Sequence, residues 1–117
     1  MGTSLNGRVI LVTENEPLIA ADIGDGLETA GAQVHYARRI GDALRLLQSH
    51  TFHGAVIDWE MADGTAELLC KRLEARMLPY VMYCGMSKKP AGCERGVFLP
   101  KPTSMERLVE AITQVTS

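Results

Sequence analysis

Five short apolar runs, separated by stretches with helical spacing, leave this chain few folds to choose from. The runs are Arg8 to Thr13, Gln33 to Ala37, His53 to Asp58, Tyr80 to Cys84 and Val97 to Leu99. Arg8 to Thr13 is rich in β-branched residues, and Ala55 to Ile57 is unbroken apolar sequence, the pattern of strands buried on both faces of a parallel sheet. Between the runs, the spacing predicts helices. Pro17 opens the first, Ile19, Ile23, Leu27 and Ala30 share its inner face, and Gly31 ends it. Gly24 and Gly26 weaken this helix by up to about 1 kcal/mol each relative to Ala, so packing must hold it. Ile40, Ala43, Leu44 and Leu47 mark the second helix. Ala66, Leu69, Cys70, Leu73 and Met77 mark the third, and Met105, Leu108, Val109, Ile112 and Val115 the last. Alternation of this kind predicts an α/β fold, a doubly wound five-stranded parallel sheet with helices on both faces. The rhythm falters once. Gly85 to Gly96 contains Pro90 and Gly92 and must join two strands, and a parallel crossover needs at least ~10–12 residues including its helix. The fourth helix is therefore expected to be short or missing.

A chain of 117 residues predicts a single domain over 1–117. With a net charge of −2 and no basic run, nothing points to nucleic acid or an anionic membrane. No apolar segment approaches the ~20 residues of a membrane span. The N-terminus lacks the profile of a signal peptide. Met1-Gly2 begins a myristoylation-like sequence, but Asn6 stands where Ser or Thr is required. The cysteines Cys70, Cys84 and Cys93 show no CxxC spacing and form no zinc pattern with His35, His50 and His53. A reduced, cytoplasmic protein is the default expectation. No second domain is expected after Ser117, and output is then expected to pass by protein contact.

Open parallel sheets place their functional groups at the carboxyl ends of the strands. Four such positions carry chemistry here: Glu14-Asn15-Glu16, Asp58, Cys84 and Lys101. Each has a plain structural alternative. Asp58 could cap the next helix, although Asp63 is better placed for that. Glu14-Asn15-Glu16 could cap or compensate the first helix. Lys101, between Pro100 and Pro102, could be an exposed side chain in a turn. The coincidence of all four at strand ends favours a site. Mg²⁺ takes oxygen ligands and typically one or two carboxylates; Glu14 and Asp58 fit, with a backbone carbonyl near Glu60. Prolines on both sides restrict the backbone of Lys101, so its ammonium can be aimed. A cation and an ammonium beside one carboxylate would neutralise a phosphoryl group arriving on it.

Over essentially its whole length the chain resembles a response-regulator receiver domain. The resemblance is carried by Val9-Ile-Leu-Val-Thr-Glu-Asn-Glu-Pro-Leu-Ile-Ala20, Ala55-Val-Ile-Asp-Trp-Glu-Met-Ala-Asp-Gly64 and Gly96-Val-Phe-Leu-Pro-Lys-Pro102. It implies a flavodoxin-like strand order 2-1-3-4-5 and a signalling module rather than an enzyme. By the same likeness, Asp58 would accept phosphoryl from a sensor histidine kinase or phosphotransfer protein, and Lys101 would bind it. Phe98 would be the aromatic switch residue, Cys84 would stand at the switch Thr/Ser position, and a downstream protein or a second copy would read the signal. Mg²⁺ would be held by Glu14, Asn15, Asp58 and the Glu60 carbonyl. The segment after Cys84-Gly85 is similar to a receiver subgroup with a reduced fourth helix, familiar from alphaproteobacteria.

Departures from the family pattern shape the expectation. Asn15 replaces the second acid after strand one, removing a charge and predicting weak Mg²⁺ binding. Cys84 replaces a hydroxyl, and a thiol donates poorly. Ala62 replaces a usual proline. Glu60 adds charge near the pocket or reaches Lys101 as a surrogate partner. The rival reading is a pseudo-receiver that binds a partner without phosphate. A small haloacid-dehalogenase-like phosphatase would need a second Asp where Glu60 stands, and a flavodoxin-like mononucleotide carrier would need a phosphate loop after strand one.

Overall fold

The computed structural model of the protein describes residues 4–117, so the readings of Met1-Gly2 lie outside the described residues. In chain order the elements are β1 (Val9–Thr13), α1 (Pro17–Thr29), β2 (Gln33–Ala37), α2 (Ile40–Ser49), β3 (Gly54–Ile57), β4 (Glu60–Met61), β5 (Gly64–Thr65), α3 (Glu67–Ala75), β6 (Tyr80–Cys84), β7 (Val97–Pro100) and α4 (Met105–Thr116). The five long strands form one parallel sheet in the order β2-β1-β3-β6-β7. Counting these strands alone, the order is the expected 2-1-3-4-5.

Side chains alternate across a strand, so each strand feeds two cores. On one face Ile10, Val12, Val56 and Val81 pack with Ile23 and Leu27 of α1 and Leu108 and Ile112 of α4. On the other, Leu11, Ala55, Ile57 and Met82 pack with Ala43 and Leu47 of α2 and Leu69 and Leu73 of α3. Burial of one such side chain contributes about 1.5–3 kcal/mol. Ile23 and Leu27 together therefore outweigh the propensity cost of Gly24 and Gly26. Gly24 has a further reason to lack a side chain, since a Cβ there would overlap the Tyr36 hydroxyl.

The structure corrects three local expectations. Met77 is 80% exposed, not on the inner face of α3. The helix ends at Ala75, and Met77 turns the chain at φ 56°. Asp63 caps α2, not the helix that follows it. It sits between β4 and β5, which pair antiparallel, and accepts hydrogen bonds from Ile40 N at 2.7 Å and Gly41 N at 3.2 Å. Cys70 and Cys93, expected to be reduced, are joined in a disulfide, while Cys84 is a free, buried thiol. The inner face of α3 and the connection between β6 and β7 meet in the same core, bringing the two Cα atoms to 5.3 Å. Closing a loop of this length stabilises the fold by about 3 kcal/mol in the chain-entropy account.

As expected, the segment from Gly85 to Gly96 carries no helix. It is fastened to α3 by the disulfide and by Arg95 N, which donates to Glu74 Oε2 at 3.0 Å. The same carboxylate oxygen accepts the Tyr80 hydroxyl at 2.6 Å. Burial, then the Glu74 carboxylate, pushes the Tyr80 hydroxyl far above its usual range, so it remains a donor. The Tyr80 ring lies against Gly96, where the chain turns into β7, and leaves no space for a Cβ. Gly96→Ala is therefore expected to destabilise the protein by about 1–3 kcal/mol through overpacking. Urea unfolding checks this, and an unchanged midpoint would show that the Tyr80 ring yields freely.

Candidate functional site

The parallel register brings the site together. Thr13 pairs with Ile57, so Glu14 and Asp58 leave neighbouring strands side by side. Glu14 N donates to Ala37 O and Asp58 N to Thr13 O, each at 3.1 Å, which extends the ladder one residue past the strands. Cys84 pairs with Pro100, and Lys101 N donates to Cys84 O at 2.8 Å. Lys101 thus starts from the far side of β6 and reaches back across the sheet edge. Its Nζ lies 3.0 Å from Asp58 Oδ2, and 3.0 and 3.2 Å from the two carboxylate oxygens of Glu14. The other oxygen of Asp58 accepts from Trp59 N at 2.8 Å.

Glu14 is 2% exposed, and its burial raises its carboxyl above the usual range, with Asp58 adding in the same direction against the bond from Lys101. Burial alone would lower the Lys101 pKa, but its bonds to Glu14 and Asp58 prevail and raise it. The ammonium is therefore charged wherever the protein is folded near neutrality. Tyr83, not singled out in the sequence, supports it from a ring centroid 5.5 Å away, within cation–π range. The Tyr83 hydroxyl also donates to Thr103 O at 3.3 Å, pinning the turn after Lys101. An aromatic residue just before the end of the fourth long strand was the available signal.

Asp58, Trp59, Glu60, Cys84, Gly85, Met86 and Lys101 line an open pocket of about 340 Å³. Cys84 is buried at its wall, and desolvation raises its thiol above the ordinary value. Glu60 reaches the pocket but is not the partner of Lys101, because Glu14 and Asp58 take its hydrogen bonds. Asn15 is half-buried beside Glu14. Phe98 is also half-buried, packed toward the α2/α3 core and outside the pocket lining.

Among the described residues there is no cluster of three or more His, Cys, Asp or Glu side chains able to hold a metal. The pair Glu14 and Asp58 is poised differently. Both carboxylates converge on one cationic atom, and burial presses charge compensation on them. With the Asn15 amide and the Glu60 carbonyl added, as the family resemblance implies, the donors would all be oxygen, the chemistry that suits a hard cation such as Mg²⁺.

No protein-family model matches the chain, and no curated protein does. Solved structures do. The receiver domain of the Francisella response regulator 1452 is 24% identical, with a TM-score of 0.83 over 94% of this chain and 97% of that one. The non-phosphorylated HemR receiver domain from Leptospira biflexa is 23% identical, with a TM-score of 0.83 over 94% of each. This is the receiver fold. The response regulator PhyR from Brucella abortus contains it as well, at 22% identity and a TM-score of 0.81, with 98% of this chain matching 50% of that one.

Within this receiver fold the three charged groups are mutually dependent. The Glu14 pKa lies above its usual value, so its ionisation opposes folding; that cost is absent at low pH and sets in as pH rises through the folded pKa. Lys101 acts in the other window. Its stabilisation is present below the ordinary lysine range and lost as pH rises through its higher folded pKa. Lys101→Met should therefore cost about 2 kcal/mol near neutrality, because it strands one buried carboxylate, Glu14, and one half-buried, Asp58. The loss should shrink as pH falls through the carboxylate range, and Glu14→Gln in that background should restore most of it. Urea midpoints across pH read this directly; a loss independent of pH would show that packing, not charge, is what Lys101 supplies.

Proposed function

We propose that the protein is a receiver module of two-component signalling that accepts a phosphoryl group on Asp58 from a sensor histidine kinase or phosphotransfer protein. The observation that carries this reading is the Lys101 ammonium, 3.0 Å from Asp58 at the carboxyl edge of the sheet. One carboxylate oxygen of Asp58 forms a bond to phosphorus as the phosphorus–nitrogen bond of the donor phosphohistidine breaks. The electron pair leaves on the imidazole nitrogen, which takes a proton, and an acyl phosphate remains. Trp59 N–H holds the orientation of the carboxylate, and Lys101 transfers its hydrogen bond to a phosphoryl oxygen. Mg²⁺, bound by Glu14, Asn15, Asp58 and the Glu60 carbonyl, would supply further charge neutralisation. Cys84 and Phe98 would link the phosphoryl group to a downstream protein partner or a second copy of the chain.

A phosphorylation-independent interaction module is the second reading. It is favoured by the buried Cys84 thiol, a weak donor at the pocket wall, and by the hold of both Glu14 oxygens on Lys101.

Intact mass after incubation with acetyl phosphate and Mg²⁺ separates the two. The first reading expects one phosphate adduct on the wild type and none on Asp58→Ala. Asn15→Asp should lower the Mg²⁺ requirement about tenfold, the effect of one added charge near the ion. No adduct on either the wild type or Asn15→Asp would leave the interaction module as the function.

A further inference from the structure

We infer that Cys70 and Cys93 form a reversible redox couple, exchanging with small cellular thiols of the glutathione class, and that its state sets the rigidity of the wall of the Asp58 pocket.

The inference starts from what holds the segment between β6 and β7. It has no helical hydrogen bonds of its own. Its internal ties are Cys93 N to Pro90 O and Gly96 N to Cys93 O, both 3.3 Å, Gly92 N to Glu94 Oε2 at 3.0 Å, and Lys89 Nζ to Glu94 O at 2.9 Å. Among the described residues, its polar or covalent attachments to α3 are the disulfide and the bond from Arg95 N to Glu74. Removing the disulfide leaves one hydrogen bond to α3, with the burial of Pro90, Cys93 and Gly96, to hold the segment.

The segment also begins and ends at the pocket. Cys84, Gly85 and Met86 line the pocket at its start, and at its end β7 delivers Lys101. Trp59, a pocket-lining residue, packs against the core cluster that contains Cys70 and Cys93. A change in the tie therefore reaches the pocket along the backbone at both ends and through the core in the middle.

The chemistry is ordinary thiol–disulfide exchange. A glutathione thiolate attacks one sulfur, the other leaves as a thiolate and takes a proton, and a mixed disulfide forms. A second glutathione releases that cysteine, so two thiols and one glutathione disulfide result for two glutathiones consumed. Both cysteines are fully buried, so exchange requires the segment to open. The exposed Ser87, Lys88 and Lys89 and the left-handed Gly92, at φ +91°, provide the length that can move. The basic residues Lys88, Lys89 and Arg95 lie along the same stretch and favour an anionic thiol.

The test uses the full chain in buffers of reduced and oxidised glutathione, with alkylation of denatured protein read by intact mass. Oxidised protein should take one alkyl group, on Cys84, and reduced protein three. Hydrogen exchange in residues 86–95 should be about tenfold faster in the reduced state, with β1 and β3 unchanged, and should revert on adding oxidised glutathione. The fluorescence of Trp59 should follow the same midpoint. The full response should appear in protein never exposed to a phosphoryl donor, which separates this inference from phosphoryl transfer. Three alkyl groups after exhaustive oxidation, equal exchange in both states, or a loss of protection that includes β1 and β3 would each overturn it.

Discussion

One ammonium between two carboxylates is the interaction on which the sheet edge depends. Glu14 and Asp58 each have an oxygen 3.0 Å from Lys101 Nζ, so those oxygens lie no more than about 6 Å apart. At an effective dielectric of 20, two like charges at that distance repel by about 3 kcal/mol, while each carboxylate attracts the ammonium more strongly because it is closer. The balance holds only if three strands end in register. β1 and β3 supply the acids side by side, and β7 must reach back across β6 with its lysine. Tyr83, through its ring beside the ammonium and its hydroxyl on Thr103, fixes the last of these placements. Register, which the hydrophobic pattern sets for the sake of two cores, also sets the electrostatics.

That dependence explains what could be read from the sequence. Strand ends are marked wherever an apolar run meets a charged or turn residue, and Thr13-Glu14, Ile57-Asp58 and Cys84-Gly85 are such borders. Buried strands tolerate few polar residues, so their ends are sharp, and the parallel order then places Glu14, Asp58 and Lys101 at one edge. The missing helix was legible for an equally simple reason. Twelve residues containing Pro90 and Gly92 cannot span the crossover and also complete a stable helix.

Less local features were hidden. The β4–β5 ladder has two residues on each strand, too few to show a period. Asp63 has the composition of a cap, but sequence order suggests the following helix, and only the fold shows that α2 begins nearer. The Cys70–Cys93 bond joins residues 23 positions apart, with no spacing motif to announce it. Met77 fits the spacing of α3 but falls beyond its end, where a left-handed turn reverses its direction. For Asp63 and for the Cys70–Cys93 pair, a neighbour from elsewhere in the chain, absent from any local window, decided the outcome.

The connection between β6 and β7 changes how a signal could leave the site. A helix at this place would satisfy its backbone internally and could shift as a rigid body. Here the connection is fastened to α3 by a covalent bond and by Glu74, which leaves Val97 exposed and Phe98 half-covered. At the head of the connection stands a thiol. A hydroxyl donating to a charged phosphoryl oxygen contributes about 1.5–3 kcal/mol, and a tenfold shift between two conformations requires about 1.4 kcal/mol. On the proposed reading, the buried Cys84 thiol in place of that donor would remove much of the free energy by which a phosphoryl group on Asp58 could draw the end of β6 inward. On that reading, phosphate alone would be a weak lever on a stapled segment. Loosening the staple lowers the cost of moving the segment, so thiol chemistry at Cys70 and Cys93 and phosphoryl chemistry at Asp58 would act on the same mechanical element from its two sides.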